Sequence, residues 1–148
     1  MFAEMNKAIV RCYYEEVFNK RNVDMIDKLV ADKFINNDPT SVASRDRASM
    51  KQFIKTLTMA FPDHHHAIED LIAEGDKVVM RCTLTATHKG IFPGFLEIPP
   101  TGKTIYQKQI HILRVREGKI TEHWVVRDDL AMLQQLGVIP LRNVAANF

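Results

Sequence analysis

The period of the hydrophobic pattern changes at Pro62, and this change constrains the fold more than any other feature of the sequence. Before Pro62, apolar residues recur at helical spacing and predict an amphipathic helix over residues 44–60. After it, apolar and polar residues alternate, which is typical of strands with one buried face. Helices followed by antiparallel strands predict an α+β domain. The helices must cover one face of the sheet, and a strongly twisted sheet can curl into a half-barrel that encloses a cavity.

Further elements follow from the same two periods. Helical spacing over residues 3–20 predicts a first helix, and Asn22 could cap a short second one. A short apolar strand is expected at Phe34-Ile35. The loop over residues 89–103 holds three prolines and three glycines, and loops of this length are commonly functional. The remaining predicted elements are strands over 66–73, 77–88, 104–116 and 119–127, and a closing helix over 130–136.

Composition excludes several classes of protein. A chain of 148 residues with 46% hydrophobic and 26% charged residues fits a single domain over 1–148, with 138–148 as a C-terminal extension. The net charge of +2 comes without a basic run, which argues against a nucleic-acid partner. No segment approaches the ~20 apolar residues of a membrane span, and the N-terminus lacks the apolar core of a signal peptide. Cys12 and Cys82 match no metal or disulfide pattern, so a reducing, cytoplasmic location is expected.

The last two strands form a hairpin whose register predicts a binding face. Glu117-Gly118 predicts a two-residue turn, which pairs Arg116 with Lys119 and places His111 opposite Trp124. A β-bulge within the hairpin would move part of this set to the other face. The predicted face mixes polar groups with an aromatic ring, as a binding cavity does: Gln107, Gln109, His111, Leu113, Glu122, Trp124, Val126 and Asp128.

Two members of this face are candidates for acid/base chemistry. Asp128 ends the last strand, and a partly dry pocket raises the pKa of a carboxylic acid toward working pH. Asp128 could also cap the closing helix, and the two roles are compatible. His111 is the second candidate, although a lone histidine in a strand is more commonly a structural, hydrogen-bonded residue. The expected ligand contacts are Gln107, Gln109, Glu122 and Trp124, with core packing as the alternative for Trp124.

Two polar clusters lie outside the hairpin. Asn36 and Asn37 precede Asp38-Pro39, which is typical of a turn, but their amides could also line a pocket above the third helix. The segment 63–66, Asp-His-His-His, suggests a metal at first sight. His64 and His66 could share a face, yet no third ligand has a fixed spacing. We therefore expect a solvated strand start and no bound metal.

Several segments together resemble a known family. These are Phe61-Pro62-Asp63, residues 69–78 (EDLIAEGDKV), residues 99–103 (PPTGK), and residues 118–128 (GKITEHWVVRD) running into 133–137 (LQQLG). In this order and spacing they are similar to the SnoaL-like polyketide cyclases, also called ester cyclases, of the nuclear transport factor 2-like superfamily. The resemblance covers about residues 6 to 137. The sequence departs from the family at Val125, where members commonly carry Asp or Asn.

The resemblance implies a fold, a reaction and an assembly. It implies a cone-shaped half-barrel, with N-terminal helices packed on a strongly curved, mainly antiparallel sheet around a deep cavity. The characterised cyclases close a ring of an aromatic polyketide ester by intramolecular aldol chemistry without a cofactor. The family's acid/base aspartate falls on Asp128, a pocket histidine on His111, and an early pocket asparagine on Asn36 or Asn37. A hydrophobic small molecule is the implied substrate, and a homodimer or higher homo-oligomer the implied assembly.

Other functions fit the same sequence features. The chain could be a binding protein that keeps the cavity without catalysis, or carry an isomerase, hydroxylase-like or hydrolase-like activity on the same scaffold. It could also act mainly through its outer sheet face. On that face Ile110, Ile112 and Val125 are expected to pack against a second subunit.

Overall fold

The structure is a computed structural model, and it describes residues 2–38, 45–92 and 97–141. The helical elements are α1 (Phe2–Cys12), a π-helix (Tyr13–Asn19), a 3₁₀ turn (Val23–Met25), α2 (Ile26–Leu29), α3 (Arg47–Ala60) and α4 (Asp129–Gln135). The strands are β1 (Val30–Asn36), β2 (His65–Glu74), β3 (Lys77–Thr87), β4 (Thr104–Arg116) and β5 (Lys119–Arg127).

The five strands form one curved, unclosed sheet in the order β1-β5-β4-β3-β2. Neighbouring strands are antiparallel except that β1 runs parallel to β5, so the sheet is mixed. The α+β fold with helices packed on the sheet is confirmed. The expected strand at Phe34-Ile35 is part of the longer β1, which adds the parallel edge to the four predicted antiparallel strands.

The core lies between the concave face of the sheet and the helices. Every second residue of β3 from Val78 to Ala86, and of β4 from Ile105 to Val115, is buried. Helix α3 begins after Asp46, whose side chain accepts a hydrogen bond from the Ser49 backbone N–H, while the Ser49 hydroxyl accepts one from the Asp46 N–H. The predicted start of this helix, at 44, lies outside the described residues.

The first helix does not stay α-helical to its end. Its last two turns widen into the π-helix, in which Tyr13, Tyr14, Val17 and Phe18 are all buried. Short π-helical segments within α-helices are frequent at functional sites. Here the segment brings the Tyr14 hydroxyl within 3.0 Å of Nδ1 of His111 on β4.

The hairpin of β4 and β5 departs from the predicted register. Glu117 and Gly118 both have positive φ, at 52° and 75°, as a two-residue turn requires, and Arg116 pairs with Lys119. The register then shifts between Val115 and Arg114, because Thr121 is an extra residue on β5. Beyond this bulge the predicted face of β5 is wrong, since a shift of one residue exchanges the two faces of a strand.

The bulge reassigns the residues of β5. His123 lies opposite Leu113 and Arg127 opposite Gln109, so both share the concave face with His111. The exchanged set, Glu122, Trp124 and Val126, lies on the outer face. Val125 pairs with His111 and was wrongly predicted to lie on that outer face.

The remaining sequence predictions have mixed outcomes. Residues 89–103 contain no helix or strand among those described, as predicted, and Phe92 and Ile98 from this segment line the cavity. Most of the predicted C-terminal extension, 142–148, lies outside the described residues. Cys12 and Cys82 are free thiols. In the described part of the chain, no helix is long and apolar enough to cross a membrane.

The outer sheet face carries an apolar row across four strands. Ile72 pairs with Val79, Val79 with Ile112, and Ile112 with Trp124. Beside this row, Ile110 and Val126 are 50% and 76% exposed. This surface resembles the apolar centre of an interface between subunits, and the homo-oligomer stays a prediction.

We expect Val126→Asp to convert an oligomer into a 17.0 kDa species in light scattering, because the new carboxylate would be buried without a partner in the interface. Met59→Asp is the matched control, since Met59 is 75% exposed on α3, away from the sheet. A wild-type chain that is monomeric at micromolar concentration would contradict the prediction.

Candidate functional site

A cavity lies between the helices and the concave face of the sheet. Most of its wall is aromatic or aliphatic, contributed by the π-helix, α3, α4 and the strands. Its polar residues come mainly from β4, β5 and the segment after β1. The polar lining residues are Asn36, Asp38, His66, His88, Gln107, Gln109, His111, His123, Arg127 and Asp129.

Three polar residues of β4 occupy consecutive inward positions. Gln107, Gln109 and His111 are 2%, 2% and 3% exposed. Gln109 Nε2 donates to Gln107 Oε1 at 2.8 Å, and Gln109 Oε1 lies 2.8 Å from His111 Nε2. Gln107 Nε2 donates to Asp129 Oδ1 at 2.9 Å. These contacts offset the cost of burying the amides, since a buried polar group without a partner destabilises a fold by ~1–3 kcal/mol.

A second histidine continues this row. His123 Nε2 lies 2.8 Å from His111 Nδ1, and the two rings stack with their centres 5.1 Å apart. On its far side, His123 Nδ1 lies 2.9 Å from Asn36 Oδ1. Asn36 thus lies in the cavity as expected, at the end of a hydrogen-bonded row that reaches Asp129.

One ion pair lies beside the histidines. Arg127 donates to Asp38 Oδ2 at 2.7 Å, and the Asp38 side chain is 3% exposed. The pair bridges the end of β5 and the segment after β1. A pair with so little exposure is weakly screened, so the charge of Arg127 acts on the rings of His111 and His123, and that of Asp38 opposes it at His123.

Burial dominates the titration of the cavity residues. It lowers the pKa of His111 well below its usual range, and His123, Arg127 and His66 add to this lowering. It lowers the pKa of His123 to about 4, with Arg127 adding to the effect and Asp38 opposing it. Burial also raises the pKa of the Tyr14 hydroxyl well above its usual range. Tyr14 therefore acts in this cavity as a neutral hydroxyl.

The histidines at the start of β2 are not solvated, contrary to the sequence-based expectation. His64 and His66 are 0% and 4% exposed, and only His65 faces solvent. His64 Nε2 bonds the Thr58 hydroxyl at 2.9 Å, and His66 lines the cavity. The Nδ1 atoms of both histidines have no partner among the described residues. Within the described ranges, no group of three or more His, Cys, Asp or Glu residues could hold a metal ion.

The structure places Asp128 at the N-terminus of α4 rather than among the cavity-lining residues. Its side chain accepts a hydrogen bond from the Ala131 backbone N–H at 3.0 Å, which confirms the predicted cap. Its neighbour Asp129 lines the cavity instead. An acid/base role for Asp128 stays a prediction. The carboxylate that bonds Gln107, and so ends the hydrogen-bonded row that forms the polar wall of the cavity, is that of Asp129.

Three other candidate residues lie away from the cavity. Asn37 is exposed and donates to Glu122 Oε1 at 3.2 Å. Arg114 bonds the other oxygen of Glu122 and also stacks over Trp124, 5.6 Å from the centre of the ring. The bulge turns Glu122 and Trp124 to the outer face, so their predicted place in the cavity is wrong. Neighbouring side chains point to opposite sides, so Asn37 faces outward where Asn36 faces the cavity.

Sequence reasoning missed five residues of the site: Tyr14, Asp38, His123, Arg127 and Asp129. His123 and Arg127 were assigned to the outer face by the unbroken register. Asp129 directly precedes the predicted closing helix, 130–136, and no spacing distinguishes it from Asp128. Tyr14 lies within the helix predicted over 3–20, and helical spacing carries no signal for its hydroxyl. Thr121 marks the bulge, but a threonine in a strand is too common to reveal one.

The comparisons with known proteins agree with this architecture. The sequence model described as SnoaL-like polyketide cyclase matches residues 8–136, and the chain belongs to that family. No curated protein matches the chain.

Three solved structures illustrate the similarity. A proposed polyketide cyclase from Acidithiobacillus ferrooxidans is 36% identical with a TM-score of 0.78, over 90% of this chain and 95% of the other. IdmH, a proposed polyketide cyclase from Streptomyces antibioticus, is 28% identical with a TM-score of 0.75, over 89% and 98%. AclR, a proposed hydroxylase from Streptomyces galilaeus, is 29% identical with a TM-score of 0.77, over 95% and 86%.

The cap at Asp128 can be tested through stability. We expect Asp128→Asn to leave the free energy of unfolding nearly unchanged, because asparagine caps a helix about as well as aspartate, and Asp128→Ala to lower it by ~1 kcal/mol. Urea unfolding followed by circular dichroism measures both. Equal losses in the two variants would show that the carboxylate charge, rather than the cap, stabilises the fold.

His66 makes the stability depend on pH. Burial lowers its pKa from 6.5 to about 3, so between these values the unfolded chain binds a proton that the folded chain does not. Stability therefore falls as pH decreases below about 6.5, by about 2 kcal/mol from this residue at pH 5. We expect the loss between pH 7 and pH 5 to shrink by that amount in His66→Gln. The exposed His65→Gln should lose as much as the wild type.

Proposed function

We propose that the protein is a cyclase that closes a ring of an aromatic polyketide ester by aldol-type acid/base chemistry, without a cofactor. The observation that supports this most is a polar, hydrogen-bonded wall, ending in the carboxylate of Asp129, within a mostly apolar cavity. Aromatic and aliphatic lining suits a hydrophobic aromatic substrate, and a few polar groups suffice to orient its carbonyls. Family membership and the proposed cyclases among the similar structures add support.

The reaction needs a base, a stabiliser of negative charge and an acid. In the proposed mechanism the Asp129 carboxylate removes a proton alpha to a carbonyl, and the resulting enolate attacks a second carbonyl of the same molecule. The carboxyl group that forms on Asp129 then donates its proton to the new alkoxide, so no net proton is consumed. Asp129 lines the mostly apolar cavity, so its carboxylate can meet a bound substrate there.

The enolate oxygen needs hydrogen-bond donors that are already in place. Tyr14 is the proposed donor, His111, whose Nδ1 lies 3.0 Å from the Tyr14 hydroxyl, supports it, and the amides of Gln107 and Gln109 hold His111 in position. Donors fixed before the reaction stabilise developing charge without reorganisation. The enclosed shape would fold the substrate so that its two reacting carbons meet.

Two variants test which carboxylate acts. With an aromatic polyketide ester as the probe, we expect Asp129→Asn to lower turnover by ~10²–10⁴-fold, the usual cost of losing a general acid/base group. Substrate binding should persist, since the amide has the same shape. A comparable loss in Asp128→Asn, with full activity in Asp129→Asn, would return the role to Asp128. The surface variant His65→Gln controls for the loss of a polar side chain.

Similarity to AclR favours a hydroxylase-like activity as the second candidate. A hydroxylation consumes dioxygen, whereas the aldol-type closure does not. Product formation that stops under anaerobic conditions would therefore support the hydroxylase. Binding of the ester without turnover under either condition would instead indicate a protein that binds small molecules.

A further inference from the structure

The polar wall is one continuous hydrogen-bonded chain, and both of its ends can only accept. At one end, Asn36 Oδ1 accepts from the Asp38 backbone N–H at 3.1 Å, so the atom that faces His123 is an oxygen. At the other end, the carboxylate of Asp129 accepts from Gln107. The chain consists in order of Asn36, His123, His111, Gln109, Gln107 and Asp129.

The two amides between these ends have fixed orientations. Because Gln107 Nε2 faces the carboxylate, its Oε1 accepts from Gln109, and the Gln109 Oε1 is turned toward His111. Independent neighbours agree with this assignment. Gln107 Nε2 lies 3.6 Å from the sulfur of Met132, an acceptor, and Gln109 Oε1 lies 3.8 Å from the Cys82 thiol, a donor. His111 must therefore carry a proton on Nε2.

A count of protons shows that the chain is one short. Its five contacts need five protons, but the four side chains between the ends, when neutral, each supply one. His111 uses its proton toward Gln109, and His123 uses its own toward Asn36. The two remaining ring nitrogens, 2.8 Å apart, would then face each other with lone pairs. If every hydrogen bond of the chain ran in the opposite direction, two acceptors would face each other at a different contact. The missing proton would remain, because both ends of the chain accept.

We propose that His111 and His123 hold one additional proton between Nδ1 of the first and Nε2 of the second. This proton turns a repulsive contact into a charge-assisted hydrogen bond. Its charge balances the carboxylate of Asp129, as Arg127 balances Asp38, so the buried wall becomes neutral overall. A neutral wall costs far less to bury than one with an unbalanced charge.

Burial and the positive charge of Arg127 oppose any proton on the pair, whereas Asp38 and the hydrogen bond that a first proton completes favour one. Two adjacent rings bind protons in two steps that belong to the pair. The first step completes the chain. The second would place two positive rings side by side, facing Arg127 from β5 and His66 from β2, with Tyr14 above them and Asp38 as the opposing carboxylate. We therefore expect one proton at neutral pH and not two.

The shared proton also changes what Tyr14 can do. The shared proton occupies the single in-plane site of His111 Nδ1, so that nitrogen no longer accepts from Tyr14, and the tyrosine O–H can bond an oxygen in the cavity. The pair and Tyr14 would then form a positively charged donor for an enolate oxygen. This last role rests on the proposed function, whereas the proton itself does not.

Nitrogen NMR of the ¹⁵N-histidine-labelled protein at pH 7 tests the proposal. Signals are assigned with His111→Gln and His123→Gln. We expect both central nitrogens to have shifts between those of protonated and unprotonated imidazole nitrogens. Wild-type spectra in which His111 Nδ1 and His123 Nε2 are both fully unprotonated would overturn the proposal, whatever the enzyme assay gives.

A matched pair of variants tests the count. In Asp129→Asn the new amide N–H can donate to the oxygen of Gln107 once that side chain has turned over. All five contacts then have a proton, so the shared proton between the histidines should be lost. One central nitrogen should then become fully unprotonated and the other fully protonated. Asp128→Asn removes a neighbouring carboxylate outside the chain and should leave the wild-type signals. A shared proton that persists in Asp129→Asn would refute the count, even if that variant has lost its activity.

Discussion

The extra residue in β5 is the constraint on which the cavity depends. Thr121 has no partner in the ladder between Val115 and Arg114, and its hydroxyl lies 3.4 Å from the Arg114 carbonyl oxygen. Because side chains alternate along a strand, this single insertion turns His123 and Arg127 inward for the rest of β5. Without it, Glu122 and Trp124 would face the helices, and the polar wall would lack its second histidine.

The wall is stable because its polar groups satisfy one another. An isolated glutamine or histidine at any of these inward positions would destabilise the core, since a buried donor or acceptor without a partner is costly. Along β4 and across to β5, each polar group instead lies at hydrogen-bond distance from the next. Such a network responds to change as a unit, so replacing one member alters the orientation or protonation of the others. This coupling ties the chemistry of Asp129 to histidines several residues away.

The helical layer completes the site in two ways. The π-helix places Tyr14 against His111, and α3 covers the apolar part of the cavity with Met50, Ile54 and Leu57. At the end of β5, α4 begins at once, so that Asp128 caps the helix while Asp129 turns toward Gln107. Two adjacent carboxylates thereby have different surroundings, one exposed and one at the polar wall.

The sequence by itself determined the order of helices and strands, the bounds of β4 and β5, the turn between them, and the inward row of Gln107, Gln109 and His111. These follow from local periodicity and turn chemistry, which act over a few residues. Only the tertiary structure decided which face of β5 meets that row, that Asp129 rather than Asp128 lines the cavity, and that His64 and His66 are buried. The physical reason is that a bulge, a packed helix and a parallel edge strand depend on contacts between segments far apart in the chain, which leave no local periodic signal.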